Sequence, residues 1–380
     1  MSHHAFGVPT GGGARFLGPG ILRWGLFDGE VLAAKTVDRS YESYIGGRRV
    51  ATAGVAGVAV APEYRGTGLA RRMMTHLLAE ARARGAVIST LFRTAPGLYR
   101  ALGYEQVAEL VDGALPAAAL RGMRGRGIAL RRAAAADGRD IRDVYATVAA
   151  SGSCLLTRDG PAFDATDDQL ISAFDGITLA QDDTGATVGY LSWNRGSGHG
   201  ERAALAVSDL LATTADGYGA LLAAAASFES VTPTLTLRTS GSDPVHWLVP
   251  GAGWRVTEVR PYMLRVVDLG GAVAARGWPA AAVADVVLLV DDPTCPWNTG
   301  RHRLLVEGGA GRIESSGPSA AADGDGSTTL TPGGLAVLYA GGIPVSALRR
   351  AGLVSGGSTQ SDAALDAAFA GPRPAILDYF

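Results

Sequence analysis

The run Pro62-Glu63-Tyr64-Arg65-Gly66-Thr67-Gly68 holds the parts of an anion site. Two glycines one residue apart let the main chain approach a ligand closely, so successive N–H groups can donate to phosphate oxygens. The apolar stretch Val58-Ala59-Val60-Ala61 leads into the loop as a strand, and a helical pattern leaves it. The loop therefore opens onto a helix N-terminus, whose partial positive charge favours an anion by about 0.3–1 kcal/mol. Arg65 is placed to shield a pyrophosphate from the water side. The pattern is not a strict dinucleotide fingerprint, because Gly66-x-Gly68 is followed by Arg71 rather than a third glycine. Nor is it a P-loop, since no Gly-Lys-Ser/Thr follows.

Positioning this loop requires a strand–loop–helix unit, and the flanking pattern supplies one. Segments 21–27, 31–41 and 50–61 read as strands separated by Asp28-Gly29-Glu30 and Gly46-Gly47, which are hairpin signals. Beyond Gly68 the apolar period changes from two to about 3.6: Leu69, Met73, Leu77 and Ala81 share one face, and the helix should stop at Gly85. A buried-strand pattern over 87–92 and a short helix carrying Leu98, Tyr99 and Leu102 complete the unit. The basic, glycine-containing stretch 123–127 reads as a linker. A second α/β rhythm covers about 128–265: a helix over 137–150, strands at 178–181 and 188–193, a helix over 218–228, and strands at 234–239 and 261–267. It has no matching Arg-Gly-x-Gly loop. A third region from about 269 has strands at 284–290, 302–306 and 313–316, a loose Ser/Gly/Asp stretch at 316–327, and helical patterns at 333–339, 345–351 and 362–369.

Bulk properties narrow the classes. With 380 residues, two or three domains are expected. A composition 47% hydrophobic and 18% charged is globular, and a formal net charge of −2 gives no reason to expect a nucleic-acid or anionic-membrane partner. Cys154 and Cys295 lie far apart without metal-ligand spacing, so neither a disulfide framework nor a metal site is expected. The chain starts without a basic segment followed by an apolar run, and no long apolar stretch follows. The expectation is a soluble cytoplasmic protein. Lys35 is the only lysine while arginine, alanine and glycine abound, a bias that a GC-rich genome accounts for.

The string from Val58 through Met74, taken with Leu98-Tyr99-Arg100-Ala101-Leu102-Gly103-Tyr104, resembles the GNAT superfamily of N-acetyltransferases. The Arg/Gln-x-x-Gly-x-Gly/Ala loop of that superfamily matches Arg65-Gly66-Thr67-Gly68-Leu69-Ala70, and Leu98 stands where its later motif usually has an aromatic. The resemblance implies acetyl-CoA as cosubstrate. Val58, Ala59 and Val60 would hold the pantetheine and polarise the thioester carbonyl. The amides of Gly66, Thr67, Gly68, Leu69, Ala70 and Arg71 would receive the pyrophosphate, and Thr94 and Ala95 would border the pantetheine arm. Acyl transfer to an amine needs a base for the amine, a stabilised oxyanion and a proton for the departing thiolate. Tyr99, a phenol of pKa about 10, is the candidate acid; Tyr104 is the packing residue.

The whole-chain layout resembles the enhanced intracellular survival (Eis) acetyltransferases, whose third domain is similar to sterol carrier proteins. The strings that carry this are Pro261-Tyr-Met-Leu-Arg265-Val-Val-Asp268, Gly333-Gly-Leu-Ala-Val-Leu-Tyr339-Ala-Gly341 and the terminal Asp378-Tyr379-Phe380. The implied fold is α/β (α+β). An N-terminal acetyltransferase domain would span 1–122, a second, degenerate one 123–267, and a sterol-carrier-like domain 268–380. By the same resemblance the C-terminal carboxylate, here on Phe380, enters the first domain as general base. The acceptor would be a small cationic amine such as an aminoglycoside, and the assembly a homohexamer. The family's N-terminal strand and helix are missing or cut short near Ala5-Phe6-Gly7; either the start is misassigned or the acceptor pocket is more open. Two other readings stand beside this one. One is a lipid- or ligand-binding protein built on the sterol-carrier-like domain, the other an acyltransferase for a longer acyl-CoA or a biosynthetic intermediate.

Overall fold

A computed structural model describes residues 18–200, 203–241, 243–249, 253–315 and 326–380. The chain start at Ala5–Gly7 and most of the loose stretch, 316–325, lie outside them. Two hairpins open the fold: β1 (Ile21–Asp28), β2 (Val31–Ile45) and β3 (Arg48–Val60). Their turns use Gly29, Gly46 and Gly47, all at positive φ, as tight hairpin turns demand. Helix α1 (Leu69–Ala83) buries Met73, Met74, Leu77, Leu78 and Ala81 on the face that the apolar spacing marks. Then come β4 (Ile88–Phe92), α2 (Pro96–Arg100) and β5 (Glu105–Pro116).

The second α/β unit contains β6 (Ala129–Arg132), α3 (Gly138–Ala150), α4 (Asp167–Ser172), β7 (Gly176–Gln181), β8 (Thr187–Asn194) and β9 (Ala204–Ala212). It closes with α5 (Ala215–Ala226), β10 (Thr234–Thr239), α6 (Val245–Leu248) and β11 (Arg255–Val266). Both units share one sheet of order β1-β2-β3-β4-β11-β5-β10-β9-β8-β7-β6. Strand β11 lies between β4 and β5, antiparallel to both, so the last strand of the second unit completes the sheet of the first. The stretch 123–127 packs on α5 rather than hanging free: the Arg126 amide donates to Asp216 Oδ1 at 3.0 Å.

The third unit is a five-stranded sheet, β14-β13-β12-β15-β16, covered by helices. Its elements are α7 (Leu269–Ala275), β12 (Ala284–Val290), β13 (Gly300–Glu307), β14 (Ala310–Ser315), β15 (Thr328–Leu330), α8 (Pro332–Ala340), α9 (Val345–Arg350), β16 (Val354–Gly356) and α10 (Thr359–Ala368). The architecture is two α/β units that share one sheet plus a third small α/β unit, as the sequence implied. Among the described residues no helix is long and apolar enough to cross a membrane.

One part-buried ion pair gives the sheet a pH dependence. Asp38, on β2, is 1% exposed and bonds Arg84 at the end of α1, while its other oxygen, Oδ1, has no partner. Burial pushes its carboxyl up from 3.8 to about 6, with the Arg84 guanidinium only partly opposing. The folded state thus holds the proton more tightly than the unfolded chain. Stability from this group is complete below 3.8 and is lost as pH rises through about 6. Asp38→Asn cannot titrate. Between about pH 4 and about pH 8 its stability relative to wild type is expected to rise by about 2 kcal/mol in urea unfolding. A difference that stays constant with pH would remove Asp38 as the titrating group.

Candidate active site

Strands β3 and β4 run parallel and pair over Thr52–Val55 and Ile88–Leu91, then part. Beyond Val55, β3 continues to Val60 with its β4-facing edge unpaired. A bulge against β2 between Ala56 and Ala59 re-aims this stretch, with Gly57 at φ 60° as a bulge residue requires. Val58 and Val60 are half-buried and Ala59 is buried. The split is therefore a V-shaped notch with main-chain groups on one wall.

The loop after β3 is braced from below. The Tyr64 hydroxyl donates to Asp28 Oδ2 at 2.9 Å, and the Thr67 hydroxyl donates to the Tyr64 carbonyl at 2.6 Å. Gly66 and Gly68 have φ of 78° and 81°, and a Cβ on either would meet nothing. Glycine is required there by backbone conformation, not by space. Gly68 caps α1 without a side chain, and among the described residues the amides of Gly66, Thr67, Gly68, Leu69, Ala70 and Arg71 have no protein acceptor. Six adjacent unbonded N–H groups at a helix start make a cradle that can receive an anion. Arg65 is exposed beside it, its Nε 3.5 Å from the Val60 carbonyl.

Across the notch, Thr94 and Ala95 are exposed at the end of β4, and Pro96 starts the short helix that carries Tyr99. Tyr99 is buried among Val55, Met74, Leu77, Leu91 and Met263. Burial raises its hydroxyl above the ordinary 10, with a smaller opposing pull from Thr94, so the group keeps its proton at neutral pH. Tyr104 is fully buried and its hydroxyl shares a hydrogen bond with Ser89 Oγ at 2.7 Å, which fits a packing role.

The chain end arrives on the other face of the sheet. Along β3, Val55 joins the Tyr99 cluster while Gly54 points the opposite way, as strand alternation dictates. A Cβ on Gly54 would lie 2.6 Å from the Tyr41 ring and 3.2 Å from the Phe380 ring. Gly54 is thus the gap into which both rings fit, one residue before the strands part. Phe380 packs on Tyr41, Phe92 and Tyr262, with ring centroids 5.1, 5.5 and 6.2 Å away. Tyr379 packs at a tilt on Phe92, centroids 4.8 Å apart, under the Arg260 guanidinium. Tyr99 and Phe380 therefore lie on opposite faces of β3, where the strands are about to part.

Two hydroxyls in this region had no signal in the sequence. Thr90 Oγ1 and the Tyr262 hydroxyl are buried on the Phe380 face, close enough to sense each other, yet neither completes a hydrogen bond of good geometry. Nearby, a cavity of about 580 Å³ lies against α3 and α4, lined by Tyr145, Phe163, Phe174, Arg158, Asp209 and Asp378 among others. Phe163 joins it to the aromatic cluster through Tyr41, at 5.1 Å. Among the described residues no group of three His, Cys, Asp or Glu side chains could hold a metal ion.

Three family models match most of the chain. Residues 19–107 match an acetyltransferase (GNAT) domain, 154–266 a second acetyltransferase (GNAT) domain, and 269–377 a sterol carrier protein domain. The chain is 29% identical over 352 residues to an uncharacterised N-acetyltransferase of Streptomyces coelicolor, a match covering 86% of this chain and 81% of the relative. It is 36% identical to the crystal structure of a GCN5-related N-acetyltransferase from Kribbella flavida, with a TM-score of 0.81 over 94% of this chain and 87% of that one. It shares the fold of Eis1 from Mycobacterium abscessus: TM-score 0.77, 24% identity, 99% and 94% coverage.

Proposed function

The chain belongs to the GCN5-related N-acetyltransferase family, and from that premise we propose that it moves the acetyl group of acetyl-CoA to a primary amine of a small cationic acceptor. The observation that carries this is the row of unbonded amides from Gly66 to Arg71 at the mouth of a strand split. Those amides and Arg65 bind the pyrophosphate. The edge of β3 at Val58, Ala59 and Val60 takes the pantetheine, with Thr94 and Ala95 on its other side. The division of labour follows: 1–122 holds the donor, 123–267 is a degenerate copy, and 268–380 delivers the chain end.

The chemistry is direct attack. The acceptor approaches from the Phe380 face, and its ammonium gives a proton to the terminal carboxylate, through a bridging water where the gap requires one. The amine nitrogen then bonds the thioester carbon, while β3 amides in the split stabilise the oxyanion. The C–S bond breaks, the sulfur leaves with the Tyr99 proton, and the adduct's nitrogen gives its remaining extra proton to solvent, which reprotonates Tyr99 and takes the first proton back from the carboxylate. The cavity near the chain end supports a cationic acceptor. Asp143 and Asp159 line it beside aromatic rings, while its other two carboxylates, Asp209 and Asp378, are taken by Arg158. Aminoglycosides fit that description.

A thiol-release assay with acetyl-CoA against aminoglycosides, lysine-like amines and polyamines tests the reading. At least one class should raise release well above hydrolysis; if none does, the acceptor assignment is wrong. Arg65→Glu is expected to weaken acetyl-CoA binding about tenfold by calorimetry, a change of about 1.4 kcal/mol. Unchanged affinity would move the phosphate site elsewhere.

A further inference from the structure

The second unit repeats the strand split of the first. Strands β9 and β10 run parallel and pair over Ala204–Val207 and Thr234–Leu237, then part. Ser208 is the extra residue of a bulge against β8 at that point, as Gly57 is in the first unit. In both units a helix follows the longer strand.

The helix end of the second split is closed to phosphate. The Thr214 hydroxyl accepts from the Gly217 amide at 3.0 Å, and Asp216 is bonded by the Arg126 amide. The Arg124 carbonyl lies so close to Gly219 that even a methyl group would not fit.

What lies beside this notch is the chain's own end. Asp209, the residue after the bulge, is buried and takes two bonds from Arg158, at 2.6 and 2.9 Å, and one from the Tyr190 hydroxyl at 3.1 Å. The third side of the same guanidinium, Nε, donates to Asp378 Oδ1 at 2.8 Å. From the other strand, Arg238 reaches the Leu377 carbonyl at 3.4 Å. Arg158 lies 3.9 Å over the Tyr145 ring and has a φ of 53°. The left-handed region is uncommon for a residue with a side chain, and such outliers persist where surroundings over-determine them. The segment that carries Arg158 is itself tied to β2, by Tyr44 N–Leu155 O and Thr157 N–Glu42 O bonds, and to the chain end, by the Ala375 N–Ser153 O bond.

We propose that the second unit's split has become a latch for the C-terminal segment, in which Asp209 and Arg158 hold Asp378 and so set where Phe380 meets the first unit's split. Asp378, Arg158 and Asp209 are positioning residues: they act through Phe380 and not on the acceptor. Only two residues separate the latch from the terminal carboxylate, a reach of about 7 Å fully extended. A chain end without such a tie is ordinarily mobile. A part-buried ion network with its partners satisfied favours one geometry over others even where its net stability is small. The proposal rests on the reading of Phe380 as base, but docking of the chain end can be measured apart from it.

The test uses Asp378→Asn in the full-length protein, which leaves the Arg158–Asp209 pair intact. The first readout is release of phenylalanine by carboxypeptidase A, which removes C-terminal aromatic residues. We expect release about tenfold faster in the variant. Unchanged release overturns the latch whatever role Phe380 has. The second readout is turnover with the amine acceptor: kcat is expected to fall about tenfold with KM for acetyl-CoA unchanged, which also shows that the variant is folded. In a chain lacking Phe380, the same substitution should change kcat no further, because positioning residues are not additive with the group they position. An equal drop in both backgrounds overturns the proposal. If deletion of Phe380 alone leaves kcat untouched, the base assignment fails, while the carboxypeptidase rate still decides the latch.

Discussion

Deleting Phe380 is expected to lower kcat by about a hundred- to a thousandfold, within the range that general-base catalysis supplies, while acetyl-CoA affinity stays as it is. The ring makes its contacts at Tyr41, Phe92 and Tyr262, away from the Arg65–Arg71 cradle, so donor binding has no reason to change. A terminal carboxylate of pKa about 3.5 is a weak base for an ammonium near about 10.4. Burial of such a carboxylate would raise it; the Phe380 ring packs on Tyr41, Phe92 and Tyr262, while Tyr379 stays exposed. Deletion removes ring and carboxylate together and leaves a carboxylate one residue short, on Tyr379. Adding one glycine after Phe380 separates the two effects, since the ring keeps its seat and the carboxylate moves by about 3.5 Å. Both variants should lose turnover. A glycine-extended chain at full rate would show that the carboxylate is not the base and that the ring alone matters.

The first site was legible because its parts are consecutive. Residues 58–71 contain strand, loop and helix start, and the change of apolar period at Leu69 marks the same boundary that the fold has. Tyr99 was legible for a similar reason, standing a few residues beyond the strand that flanks the notch. Long-range pairing was not. Nothing local in Arg255–Val266 indicates insertion between β4 and β5, and its first half is exposed and carries little apolar alternation. Strand β9 carries no such signal, because an alanine-rich stretch reads as helix as easily as strand. Arg158 and Asp378 are 220 residues apart, and an arginine beside an aspartate at that separation leaves no spacing to read. The unbonded Thr90 and Tyr262 hydroxyls are likewise visible only once β4 and β11 are side by side.

Tyr99→Phe is expected to lower kcat about a hundredfold with little change in acetyl-CoA affinity or stability. The substitution removes one oxygen from a ring that is 4% exposed and packed on Val55, Met74 and Leu91, so the phenyl group keeps those contacts. Because burial holds the hydroxyl above 10, Tyr99 stays protonated across the neutral range. It can therefore donate to the departing sulfur, and wild-type turnover should show no loss from Tyr99 ionisation below about pH 10. Tyr104→Phe is the contrasting case. Its hydroxyl serves Ser89 in the core, and losing that bond should cost about 1 kcal/mol of stability in urea unfolding while kcat stays within about twofold. The two tyrosines lie 6.1 Å apart between ring centroids in one cluster, so general loosening of that cluster would lower kcat in both variants. A drop confined to Tyr99→Phe isolates the proton. Equal turnover in both would leave the thiolate to depart without an acid, and the proton at the sulfur would then have to come from water in the notch.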